Sequence, residues 1–148
     1  MNAFEEIFSN INGGRVLDVA TGEGGYITIL RRYLGNFESI TGLDANYKVL
    51  GTAQNNFDFQ EIQFTQMNAE ILGFDSDSFD TVNISASLHH LENVRRGLAE
   101  MKRVLKSGGQ FILTEMHRDG IREEQLSALG VQLSAASVGW RQGILEDR

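Results

Sequence analysis

Residues 16–25 read VLDVATGEGG, an apolar run that ends in an aspartate and breaks into a glycine-rich turn. A buried strand followed by a loop of Gly22, Gly24 and Gly25 is the opening of an α/β unit. Glycines at such a turn permit left-handed backbone and let a ligand approach the main chain. The carboxylate of Asp18 decides which ligand. Beside a phosphate it would be repulsive, whereas a cationic or zwitterionic group suits it. Two phosphate readings are also weak on spacing. A dinucleotide fingerprint begun at Gly22 would require glycine where Ile27 stands, and no Gly-Lys-Ser/Thr triplet follows.

Outward from this stretch, short apolar runs alternate with helical periods, the pattern of a parallel sheet covered on both faces. Phe4, Ile7, Phe8 and Ile11 predict an opening helix that Asn12-Gly13-Gly14 ends. Strands are expected at 15–19, 39–43, 62–65, 80–85 and 110–114. Between them, Tyr26, Leu30, Tyr33 and Leu34 mark one helix, Leu50, Ala53 and Phe57 a second that starts near Asn46, and Val94, Leu98, Met101 and Leu105 a third ending at Ser107-Gly108-Gly109. Leu126, Leu129 and Leu133 keep helical spacing around Gly130, and the run SVGWRQGILEDR at 137–148 has no strand period. With no proline, the turns rest on Gly, Asn, Asp and Ser.

The 148 residues fit one domain, 41% hydrophobic, large enough for a core without cross-links. Zero cysteines exclude a disulfide framework, a thiol nucleophile and a cysteine metal site. The N-terminus lacks a basic, apolar leader and no run is long enough to cross a bilayer, so a cytoplasmic location and no membrane partner are expected. A net charge of -7 argues against a broad nucleic-acid footprint. The cluster Arg95, Arg96, Lys102, Arg103 and Lys106 reads as a solvated helix face.

Asp44 closes the second expected strand as Asp18 nearly closes the first. A carboxylate there can accept from both hydroxyls of a ribose. Either aspartate alone can simply cap a helix. Together, around a glycine loop, they suit an adenosyl-type ligand with a positive group and no phosphates.

On these residues the sequence resembles the class I S-adenosylmethionine-dependent methyltransferases of the small-molecule, ubiquinone-biosynthesis-like type. Residues 15–24, RVLDVATGEG, resemble the first family motif, VLDxGxGxG, with Ala20 in place of its first glycine. Gly42-Leu43-Asp44 resembles the second, whose acid binds ribose. Met67-Asn68-Ala69-Glu70 with Phe74 and Ser78-Phe79-Asp80 resembles the adenine-side segment, Asn68 standing where aspartate is usual. Ser85 to Leu91, SASLHHL, is similar to the fourth motif, and residues 100–109, EMKRVLKSGG, resemble ExxRVLKPGG.

The resemblance covers 13–115 and implies a Rossmann-like, doubly wound, mostly parallel sheet of order 3-2-1-4-5. The hairpin that usually completes the sheet is expected to be shortened or missing, because 117–148 leaves little room for it. One domain is expected over 1–148: a helix at 1–13, a donor-binding core at 14–116 and a short divergent segment at 117–148. An exposed fifth-strand edge would then invite a homodimer.

The implied ligand is S-adenosylmethionine, with S-adenosylhomocysteine as product and a small molecule as acceptor. Asp18 would face the donor's amino group, Ala20, Gly22 and Gly24 would pack on its methionine part, and Asp44 would hold the ribose. Ala45 would pack on the adenine, Asn68 and Ala69 would read its edge, and Ser85 with its neighbours would line the pocket near the methyl. His89 and His90 are weak candidates for a catalytic base, with His117 a further one, and no metal is expected, since adjacent histidines diverge. Two alternatives remain: a non-catalytic donor-binding module or partner subunit and, more distantly, a nicotinamide-binding protein.

Overall fold

The computed structural model describes residues 3–116, 131–137 and 140–147. The expected alternation is present. After a short helix α1 (Ala3–Phe8) come β1 (Asn12–Val19), α2 (Gly25–Tyr33), β2 (Gly35–Asp44), α3 (Tyr47–Asn56), β3 (Ile62–Gln66), β4 (Phe79–Ser85), α4 (Val94–Val104) and β5 (Leu105–Met116). Two further strands, β6 (Val131–Ser137) and β7 (Trp140–Asp147), complete a seven-stranded sheet of order β3-β2-β1-β4-β5-β7-β6. The first five strands are parallel, in the order 3-2-1-4-5.

The strands read as continuous apolar runs because both faces are covered. Successive residues of β1 enter different cores: Val16 packs with Phe8, Ile27, Leu30 and Ile112, whereas Leu17 and Val19 pack with Leu98, Met101 and Val104 of α4. The helices start where polar side chains supply caps. Asn46 accepts from the Lys48 N–H at 3.0 Å, and Asn93 from the Arg96 N–H at 3.0 Å. Among the described residues no helix is long and apolar enough to cross a membrane.

Several expectations are corrected. Asn12-Gly13-Gly14 does not end a helix but enters β1, where the Gly13 carbonyl accepts from Thr81 Oγ1 at 2.8 Å. The last turn of the third expected helix is already strand. Leu105 pairs with Phe79, and 106–109 bulges out before Gln110 meets Thr81.

Above all, the C-terminal hairpin is present. β7 runs antiparallel to β5 from Gln110↔Glu146 to Met116↔Trp140, and β6 pairs along β7. The lack of strand alternation hid it. The run WRQGILED at 140–147 has no strict alternation of apolar and polar residue types to mark a strand. Leu133, expected in a helix, lies in β6. Leu126, Leu129 and His117 lie outside the described residues. Because β5 is hydrogen-bonded to β4 on one side and β7 on the other, it has no free edge, and the premise of the expected dimer through that edge fails.

Candidate functional site

At the carboxyl ends of β1, β2 and β4 the chain makes its sharpest turns. Ala20, Gly22 and Gly24 all have left-handed backbone, with φ of 55°, 57° and 89°. Two bonds fix this turn: the Thr21 N–H donates to the Leu43 carbonyl at 2.8 Å and the Gly24 N–H to the Thr21 carbonyl at 2.9 Å. At Gly24 a Cβ would lie 2.5 Å from the Phe57 ring, so that glycine serves the packing of α3's end against the loop. At Gly22 a Cβ would meet open space, which leaves that stretch of main chain approachable.

The Asp44 carboxylate is held by two backbone donors. Its Oδ2 accepts from the Gly22 N–H at 3.0 Å and its Oδ1 from the Asn46 N–H at 2.9 Å. An ionised carboxylate offers about four acceptor positions, so each oxygen retains capacity for a ligand hydroxyl. Asp44 borders a cavity of about 410 Å³ whose wall also includes Ala20, Ala45, Asn68 and Ala69. Five of the nine expected donor-binding residues therefore meet there. Ala45 is steadied through its carbonyl, which accepts from Gln66 Nε2 at 3.0 Å.

The other four expected residues are placed differently. Gly22 and Gly24 shape the loop beside the cavity. Ser85 ends β4 without lining it, and Ser87, at the head of a 3-10 turn over Leu88–His90, takes that place. Asp18 is deeply buried, 1% exposed, with Oδ2 accepting from Thr21 Oγ1 at 2.6 Å and Oδ1 from Asn83 Nδ2 at 2.7 Å. Burial pushes its carboxyl up to about 6, against the pull of those two bonds and with a smaller push from the nearby Asp44 charge. Asn83 Oδ1 is buried with no hydrogen-bond partner.

Asn68 Oδ1, expected to read an adenine edge, accepts from the Glu70 N–H at 2.9 Å and so stabilises its own turn. Of the two adjacent histidines, His90 lines the cavity and His89 does not; both are exposed, with ring centroids 4.1 Å apart. Met67, Leu91 and Glu92 also line the cavity and were not foreseen. Leu91 and Glu92 follow LHH directly, and Met67 precedes Asn68, so adjacency to the motifs was the available signal.

Five parallel strands covered by helices, with two acidic strand ends around a glycine turn and a cavity outside the carboxyl ends of the strands, define a Rossmann-like α/β protein. A family described as methyltransferase domain matches residues 17–113. The chain belongs to the class I S-adenosylmethionine-dependent methyltransferase family. It is 39% identical over 108 residues to a phthiotriol/phenolphthiotriol dimycocerosates methyltransferase of Mycobacterium leprae, covering 72% of this chain and 39% of that one. With a demethylmenaquinone methyltransferase of Thermotoga maritima it shares 33% identity over 111 residues, 75% of this chain and 47% of the relative. The chain thus matches less than half the length of these curated relatives. Among solved structures, a SAM-dependent methyltransferase of Aquifex aeolicus aligns with a TM-score of 0.77 at 18% identity, covering 93% of this chain and 84% of the other. A Haloferax volcanii methyltransferase in complex with its Trm112 activator gives 0.84 at 18% identity, covering 97% and 87%. These last two likenesses concern the fold.

Proposed function

We propose that the chain binds S-adenosylmethionine in the cavity beside Asp44 and transfers its methyl group to a small-molecule acceptor. The observation that carries this reading is the Asp44 carboxylate, immobilised by the Gly22 and Asn46 N–H groups on the cavity wall with acceptor capacity to spare. Ala20, Ala45 and Ala69 keep the wall shallow enough for a flat base and a sugar to lie against it. The buried charge of Asp18 favours a ligand with a positive group near the β1 turn. A small-molecule acceptor is in line with the two relatives, whose names specify demethylmenaquinone and phthiotriol/phenolphthiotriol dimycocerosates.

When bound, the sulfonium supplies an already electrophilic methyl. The chain's own task is then alignment, which can contribute about 7–11 kcal/mol by holding reactants in line. A thiolate, a free amine or a soft metalloid acceptor requires no base from the protein. For a hydroxyl acceptor, His90 on the cavity wall would take the proton.

Calorimetry with S-adenosylmethionine and S-adenosylhomocysteine tests the reading, with NAD as control. Micromolar binding of both and none of NAD is expected. Asp44→Ala should weaken binding at least roughly tenfold, since each hydrogen bond to a charged group is worth about 1.5–3 kcal/mol. A folded wild-type chain that binds neither compound overturns the proposal. Binding without turnover across an acceptor screen favours the non-catalytic donor-binding module.

A further inference from the structure

From Met67 to Ser78 the chain forms neither strand nor helix, yet its first four residues wall the cavity. Such a segment must find partners for its backbone groups elsewhere. It finds them on α4. The Leu72 N–H donates to Glu100 Oε2 at 2.8 Å, and the Leu72 carbonyl accepts from Arg103 Nη2 at 2.9 Å. Arg103 Nη1 donates to the Phe74 carbonyl at 2.9 Å and to Ser76 Oγ at 3.3 Å.

The guanidinium is itself fixed before it reaches the loop. Its Nε donates to Glu100 Oε1 at 2.9 Å and its Nη2 to Glu100 Oε2 at 3.0 Å, a two-point pairing that sets both tilt and height. The Arg103 bond is also the leading reason the Glu100 carboxyl sits below its ordinary range. A further tie lies at the other end of the segment, where Glu70 Oε1 accepts from the Asn93 N–H at 3.0 Å, just ahead of α4. Neither Glu100 nor Arg103 lines the cavity.

We propose that Arg103, oriented by Glu100, is a positioning residue for the adenosyl end of the donor site. It sets the Met67–Glu70 wall against the cavity through the backbone of Leu72 and Phe74 and touches no ligand. The proposal rests on the donor-site reading above. It also accounts for the ExxR spacing: at i and i+3 the two side chains meet on one helix face, and only a planar fork can span two carbonyls while paired to a carboxylate. A lysine at 103 gathers its donors on one nitrogen and cannot span both carbonyls while paired to Glu100.

Calorimetric titration of S-adenosylhomocysteine into Arg103→Lys and Glu100→Gln tests this, with thermal melting and hydrogen exchange at the Leu72 amide recorded in parallel. Asp80→Asn serves as the stability control, because it weakens contacts to Arg15 and Lys106 at the opposite end of the sheet. The dissociation constant should rise about tenfold in Arg103→Lys and less in Glu100→Gln, the scale of a small misplacement of binding groups. The Leu72 amide should exchange faster in both variants, and Asp80→Asn should bind as wild type does.

If Arg103→Lys does not fold, Glu100→Gln decides by the same readouts. Unchanged affinity in the folded variants overturns the proposal. So does an equal loss in Asp80→Asn, which would make the effect one of general stability. A wild-type chain that does not bind S-adenosylhomocysteine overturns the donor-site reading, and this inference with it.

Discussion

Two aspartates on the neighbouring strands β1 and β4 mark opposite ends of the sheet and have opposite surroundings. At the entry of β4, the Asp80 carboxylate accepts from the Arg15 N–H at 2.9 Å and from Lys106 Nζ at 3.1 Å. The Arg15 bond, more than any other influence, holds its carboxyl below the usual range, and Lys106 adds to it. Near the exit of β1, Asp18 has only neutral partners in Thr21 and Asn83, and burial raises it. The backbone follows the same division. Gly14, left-handed beside Asp80, is the residue its conformation suits, whereas the left-handed Ala20 beside the cavity carries a Cβ it would be better without. The entry end is arranged for stability. The exit end holds a left-handed alanine and a buried carboxylate whose partners are neutral.

The largest effect is expected from Gly14→Ala. Its Cβ would lie 2.4 Å from Asp80 Oδ2 in a left-handed backbone, so a loss of about 3 kcal/mol should appear in chemical denaturation. Donor affinity of the folded fraction should not change; a parallel loss of affinity would erase the division between the two ends.

Next comes Asp18. Its carboxyl ionises near 3.8 when unfolded and near 6 when folded, so between those values the folded state holds the extra proton and stability falls as pH rises. Above pH 6 the whole penalty, about 3 kcal/mol, is present. Asp18→Asn should therefore stabilise the ligand-free chain by about 2–3 kcal/mol at pH 8 and by little below pH 4, while weakening S-adenosylmethionine binding. Denaturation across pH checks it. An Asp18→Asn effect of equal size at pH 4 and pH 8 would make Asp18 an ordinary carboxylate.

The smallest effect is Ala20→Gly, which should stabilise by about 0.5–1 kcal/mol because glycine enters the left-handed region without the steric penalty. Thermal melting reads it. The opposite signs of Gly14→Ala and Ala20→Gly, at the two ends of one strand and its turn, sharpen the comparison.

Local patterns were legible in the sequence and distant pairings were not. β1 and its glycine turn, the Asn46 cap of α3 and the acid that ends β2 each depend on neighbours within a few residues. That Asp18 would be enclosed depends on Asn83, 65 residues away, and so could not be read from VLDVATGEGG. The adenine-side run lies on the cavity wall, where Asn68 turns its oxygen to the Glu70 N–H, a bond within its own turn. Ser85 ends β4 and the 3-10 turn that follows puts Ser87 on the cavity wall, a placement that depends on the turn's geometry and not on the motif's spacing. β7 escaped notice because it is held by backbone pairing with β5 while its side chains follow no period. The assignment of a free edge to β5 failed for the same reason.

The position of β1 in the middle of the sheet has a consequence for how the chain is made. Its partner β2 follows closely, but β4, which covers its other edge, emerges much later. At roughly 5–20 residues per second, the 65 residues between Asp18 and Asn83 take about 3–13 s to synthesise. For that interval the nascent chain presents Val16, Leu17 and Val19 on a strand with one bare side. The ribosome-bound protein is then most vulnerable to wrong pairing, and a chaperone that shields this strand would act before any ligand site exists.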